Sequence, residues 1–238
     1  MLSGPPAANL TAAQLLDRFV ASSDRQRRTL ISQLEQRIAE LLPLIQPALD
    51  GLDPSGDDWT AGTLIQLLLQ HAEPALREAW WQRHPDGWLS VTSAMDLDLV
   101  ALQRALAEQR FEQADRLTSS LLRQLAGPQA EQRGYVYYSE VPPIPAVDLQ
   151  SLDRLWVVYS RGRYGFTVQA RLLRSCDGRW ERLWPRIGWK QAGIWTRYPG
   201  SFTWSHEAPE GHMPLVNQLR GVRLMDALLN HPGLQQRV

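Results

Sequence analysis

The chain has 238 residues, of which 44% are hydrophobic and 21% charged, enough apolar content to build one large core or two modest ones. Twenty-five basic side chains are matched by twenty-five acidic ones, which excludes the broad positive face that a nucleic-acid binder needs. A single cysteine, Cys176, rules out an internal disulfide and a cysteine-rich metal site, and reads as a partly buried structural thiol.

The first nine residues lack a basic stretch followed by an apolar one, so no secretory leader is expected. The apolar run at 41–49 is interrupted by Pro43 and Pro47 and falls short of the roughly 20 residues that cross a bilayer. A cytoplasmic protein is therefore expected. Thr11 is placed to cap a helix with Leu15, Leu16 and Phe19 on one face. Asp24 is placed to cap the next, where Leu30, Ile31, Leu34, Ile38, Leu41 and Leu42 recur at helical spacing. Pro43 and Pro47 should bend or end that helix. A loop follows at 51–58. Leu64, Leu67 and Leu68 mark a third helix, and Leu76, Ala79 and Trp80 a fourth.

His84-Pro85-Asp86-Gly87 is turn chemistry and divides the chain into an expected helical bundle at 1–86 and a second domain at 90–238. The second domain opens with a helix over 98–107. A longer one over 111–125 follows, with Ala114, Leu117, Leu121 and Leu125 on one stripe and Gly127-Pro128 as its stop. Residues 129–147 carry Tyr135, Tyr137, Tyr138, Pro142, Pro143 and Pro145, the composition of an extended, stiffened loop. Asp148 is placed to cap a helix through Leu152, Leu155, Trp156 and Tyr159. Gly162 and Gly165 turn into another at 166–173, and a short helix spans 180–187. The stretch 188–214 has no regular period yet holds Trp189, Ile194, Trp195, Tyr198, Phe202 and Trp204. Disordered segments are poor in aromatics, so this is expected to be an ordered functional loop. A last helix is expected over 219–229, before His231-Pro232-Gly233. The fold class is all-α.

No catalytic set emerges. His206, Glu207 and His212 lack the helical spacing of a zinc hydrolase. No Gly-x-Ser-x-Gly elbow is present. Residues 160–165 lack the spacing of a phosphate-binding glycine loop. The pattern is that of binding. Trp189, Trp195, Tyr198 and Phe202 offer flat apolar walls. Asn217, Arg220 and Arg223 follow near a helix start, and guanidinium groups match a carboxylate edge with paired hydrogen bonds. Each feature taken singly is also compatible with core packing or a solvated helix face. A cofactor-free helical interaction module is the alternative, and a metal-dependent enzyme using His206, Glu207 and His212 is a weaker one.

Three motifs in order, across roughly residues 97–233, resemble the genomes-uncoupled-four family. The first is Phe111-Glu-Gln-Ala114-Asp115-Arg-Leu-Thr118. The second runs from Leu152 through Trp156, Tyr159, Gly162 and Gly165 to Gln169. The third runs from Trp195-Thr-Arg-Tyr198-Pro-Gly-Ser-Phe202-Thr-Trp204 through Gly211-His212-Met-Pro214 and Leu219-Arg220-Gly221 to His231-Pro232. The resemblance implies an all-helical core shaped like a cupped hand, preceded by a helical bundle as in cyanobacterial members. It implies a non-enzymatic porphyrin carrier whose palm takes protoporphyrin IX and magnesium protoporphyrin IX, framed by loops at 129–147 and 188–214, with Arg220 facing a propionate. The implied partner is the porphyrin-binding large subunit of magnesium chelatase, which the carrier stimulates in chlorophyll biosynthesis. A monomer is expected, with no nucleic-acid partner and at most a peripheral thylakoid association.

Overall fold

The computed structural model describes residues 10–215 and 222–238. Helix α1 (Ala12–Ala21) starts at Thr11, whose hydroxyl accepts from the Gln14 N–H while the Gln14 side chain returns to the Thr11 N–H. That reciprocal cap satisfies two amides that the helix itself leaves free. Leu15, Leu16 and Phe19 are buried, as their spacing predicts. Ser23, not Asp24, precedes α2 (Asp24–Gln36), and Asp24 lies in the first turn.

The expected continuous helix breaks at Arg37, and α3 (Ile38–Asp50) then carries both Pro43 and Pro47 in its interior. The prolines do not end it. Leu41, Ile45 and Leu49 bury one side of α3, which packs on α4 (Trp59–His71), and this burial offsets the ladder bonds that the two prolines forgo.

Helix α4 is the centre of the molecule. Asp58 caps it by accepting from the Thr60 N–H at 2.9 Å. Every residue from Trp59 to Leu69 is buried, so α4 is enclosed on all sides rather than amphipathic. Helix α5 (Pro74–Arg83) opens on a proline at its first position, where no amide is needed.

Helices α6 (Val100–Ala107) and α7 (Phe111–Ala126) form a hairpin, and Gly127 at φ 98° ends α7. The expected loop at 129–147 is partly helical: α8 (Pro128–Arg133) fills its start and a 3-10 turn spans Tyr138–Glu140. Six residues between Gly127 and Gly134 are too few to show a helical period, which is why composition alone read them as loop.

Helix α9 (Ala146–Tyr159) begins after Pro145. Asp148 does not cap it. Its buried carboxylate instead accepts from the Ser93 hydroxyl and the Ala94 N–H. Helices α10 (Phe166–Ser175) and α11 (Trp180–Arg186) follow, then a two-residue hairpin, β1 (Lys190–Gln191) antiparallel to β2 (Ile194–Trp195). Helices α12 (Arg223–Leu229) and α13 (Pro232–Gln235) close the chain. The class is all-α.

Buried apolar side chains from Leu15 to Leu234 form one continuous cluster. Across residues 84–90 that cluster is joined by polar ties. The Gln66 amide donates to the carbonyls of Leu106 and Tyr159, at 2.9 and 2.6 Å. Arg154 of α9 donates to the carbonyls of Gly56 and Ser90. Arg237, two residues past α13, bridges Asp57 and the buried Asp153.

Candidate functional site

The segment after α11 has two parts with different anchoring. Its base, residues 203–215, is tied to the core by buried polar groups. Gln169 of α10 donates to the carbonyls of Gly211 and Pro214 at 3.0 and 2.9 Å. The Tyr164 hydroxyl donates to the Ser205 carbonyl, and Arg163 to that of Ala208. The amide of Gly165 meets the Met213 carbonyl, and that of Gly211 meets Arg163. Gly211 needs its lack of a side chain, because a Cβ there would lie 2.6 Å from Leu172 at φ 77°. Thus the glycines, Tyr164 and Gln169 of the central motif act as the bed on which this loop lies.

The tip, residues 189–202, is different. Ala192 and Gly193, both at positive φ, turn the β1–β2 hairpin. Around it the aromatics form two stacks. In the first, Trp180, Trp184 and Trp189 stack in series at 5.1 and 5.7 Å, and Trp195 tilts against Trp184 at 5.5 Å. In the second, Phe202 lies between Trp204 and His212 at 5.4 and 4.6 Å, with Tyr198 edge-on to both Phe202 and Trp204. Trp189 is 1% exposed and donates its ring N–H to the His212 carbonyl, and Phe202 is buried. By contrast Ile194 is 74%, Trp195 40% and Tyr198 39% exposed. The buried members hold the geometry, and the exposed ones present apolar side chains to solvent.

A second aromatic cluster sits in the 135–140 segment. Tyr137 and Tyr138 are exposed, and the Arg133 guanidinium lies over the rings of Tyr135 and Tyr137 while pairing with Glu140 at 2.6 Å. Arg223 opens α12 with its charge 5.5 Å from the Tyr138 ring. A cation at a helix N-terminus opposes the helix dipole, and the face of the Tyr138 ring offers this exposed arginine a compensating contact.

Three ionisable groups are buried where the loop meets the core, Asp115 on α7 and His206 and His212 in the loop's own base. Asp115 on α7 is buried and accepts from the Leu215 N–H at 2.6 Å, with the Tyr198 hydroxyl facing the same carboxyl. Burial pushes it up to about 7 against the help of those two donors. His206 packs edge-on to Phe111 and its Nε2 pairs with the Gln66 carbonyl oxygen at 3.0 Å. Gln66 already donates both its amide contacts, so His206 Nε2 carries the proton. Burial, then the nearby Arg161 and Arg163, lower His206 to about 3. His212 is held separately, its Nδ1 2.7 Å from the Ile187 carbonyl, and burial lowers it too. Among the described residues no group of three or more His, Cys, Asp or Glu is arranged to hold a metal ion.

Of the seven residues expected to bind ligand, the structure places Trp189 and Trp195 in the first stack and Tyr198 and Phe202 in the second. Arg223 belongs to the Tyr138 cluster. Asn217 and Arg220 lie outside the described residues. Ile194 and Tyr138 belong to the two loops named from the sequence but not to its ligand contacts, because composition marks a loop without marking which of its side chains is exposed. Asp115 enters through its motif alone, and only the fold reveals its burial.

A profile of the GUN4-like family matches residues 92–232. The Ycf53-like protein of Synechocystis is 37% identical over 96% of this chain and 97% of its own length. The chloroplastic tetrapyrrole-binding protein of Arabidopsis thaliana is 37% identical over 56% of this chain and 53% of its own. Among solved structures, GUN4 from Chlamydomonas reinhardtii superposes with a TM-score of 0.58 at 35% identity, over 61% of this chain and 93% of that one. The ligand-free GUN4 of Arabidopsis gives 0.54 at 37% identity, over 58% and 98%.

Proposed function

This chain belongs to the GUN4-like family, and from that membership we propose that it is a tetrapyrrole-binding regulator rather than a catalyst. The observation that carries the reading is the exposure of three apolar side chains, Ile194, Trp195 and Tyr198, on a loop whose base is locked to the core. Such a surface suits a flat, largely apolar ligand that must be held and then passed on. Protoporphyrin IX and magnesium protoporphyrin IX are the proposed ligands. Arg220 and Arg223, with Asn217, are the proposed partners of the propionates. The division between 1–86 and 90–238 is proposed as one of function, with ligand binding in the second part.

Burying about 400 Å² of porphyrin at about 25 cal/mol per Å² contributes on the order of 10 kcal/mol, against an association cost of about 4–15 kcal/mol. Apolar contact alone therefore leaves little margin, and the arginine pairs decide the affinity. The proposed action on the porphyrin is to present it to the large subunit of magnesium chelatase and stimulate that enzyme in chlorophyll biosynthesis. Among the described residues no helix is long and apolar enough to cross a membrane, and the proposed contact with a thylakoid is peripheral at most.

Titration with deuteroporphyrin IX, a soluble dicarboxylate porphyrin, tests this directly. Tryptophan quenching and a Soret shift should saturate at one porphyrin per chain. Trp195→Ala and Arg220→Ala should each weaken binding by about 1–3 kcal/mol. An absence of quenching at tens of micromolar porphyrin refutes the reading and leaves a cofactor-free interaction module.

A further inference from the structure

Asp115 is an unusual residue to find under a ligand-binding loop. It sits in the first half of α7, is 1% exposed, and is covered by two different parts of the loop. Its Oδ1 takes the backbone N–H of Leu215, at the far end of the pinned base, 2.6 Å away. The Tyr198 hydroxyl, from the exposed tip, faces the same carboxyl. Its Oδ2 is buried without a well-formed hydrogen bond among the described residues. The charged groups bearing on it are Arg116 and Glu112 of its own helix, and Arg116 also reaches the Tyr198 hydroxyl. One carboxyl group is thus the meeting point of tip and base.

We propose that Asp115 is a proton-linked positioning residue: it fixes Tyr198 and the Leu215 backbone against α7 in a closed arrangement and thereby sets the affinity of the porphyrin site. This rests on the porphyrin-binding reading above. The direction follows from the environment. A carboxyl buried this deeply resists ionisation, and Asp115 is pushed up to about 7 in the closed arrangement. Lifting the tip rehydrates it and returns it toward the ordinary carboxylate range of about 4. The closed form therefore binds the proton more tightly than the open form. Protons favour closure, and closure is weakened as pH rises through about 7. By reciprocity, a porphyrin that selects the closed form takes up a proton at Asp115 when it binds near neutral pH.

Wild type and Asp115→Asn are compared by deuteroporphyrin IX titration between pH 6 and pH 8.5, with amide hydrogen exchange at Leu215 measured on the porphyrin-free proteins. Asparagine keeps an acceptor for the Leu215 N–H and has no proton to lose. The wild-type dissociation constant should rise by about tenfold across this range, and the variant should stay flat near the wild-type acid value. The Leu215 protection factor should fall with rising pH in the wild type only. Parallel pH dependence in both proteins overturns the role of Asp115 in affinity. A wild-type Leu215 protection factor that does not change with pH overturns the closure itself, and needs no variant to show it. If neither protein binds porphyrin, the functional reading fails, while the exchange data still decide whether Asp115 controls the loop.

Discussion

His206 shows how a single side chain can carry both a tie and a cost. Its ring donates to Gln66, packs on Phe111, and lies near Arg161 and Arg163. Only the neutral ring fits, and the group is lowered to about 3 in the folded chain. Its folded value lies below its unfolded value of about 6.5, so no stability is lost above 6.5. Below that, the unfolded chain binds the proton first and stability falls, by about 2 kcal/mol on reaching pH 5. Urea unfolding at pH 7 and pH 5 should show this loss in the wild type and much less of it in His206→Gln. At this scale the sequence was informative about residue types and silent about their surroundings. Trp195 and Tyr198 stand out in the sequence because aromatics crowd an aperiodic stretch, and the fold adds that both are exposed. Trp189 and Phe202 belong to the same composition, yet they serve as supports, since burial is a property of the packed loop and not of the letters. Thr118 stood out only through its motif; the fold gives it a task, accepting the buried Trp156 ring N–H at 2.9 Å.

Among elements, the contact between α4 and α9 is the most demanding. A Cβ on Gly62 would sit 2.2 Å from the backbone carbonyl oxygen of Val158, and neither helix can yield locally. Gly62→Ala should therefore cost about 2–3 kcal/mol despite alanine's better helix propensity, read as a lower urea midpoint with an unchanged slope. Helix positions were legible wherever a stripe ran for three turns, as in α1 and α7. They were less so where tertiary packing overrode a local rule. Pro43 and Pro47 are breakers by every local criterion, and α3 continues through them because its apolar side is buried against α4. Helix α8 is too short for a period, and the β1–β2 hairpin, with two residues per strand, is shorter than any alternation can reveal.

For the molecule as a whole, the two expected parts meet through a shared core and a small set of buried polar ties. Arg237 links Asp57, from the loop before α4, to Asp153, which is fully buried and also accepts from the Thr167 amide and hydroxyl. Removing the arginine leaves a buried carboxyl short of its cation, so Arg237→Ala should lower stability by about 2–4 kcal/mol in thermal or urea unfolding, with one cooperative transition retained. The turn signal at 84–87 was legible, and so was a helical segment on each side. What the sequence withheld is that α4 is covered by segments from far along the chain. That placement has a consequence during synthesis. Gln66 finds Tyr159 across 93 positions and His206 across 140. At about 5–20 residues per second, α4 emerges from the ribosome about 5–20 s before its α9 partner exists. For that interval α4, buried on every side in the finished fold, has α1–α3 and then α6 for company but not α9, and any nascent chain that stalls before residue 159 leaves its α9 side open to neighbouring chains.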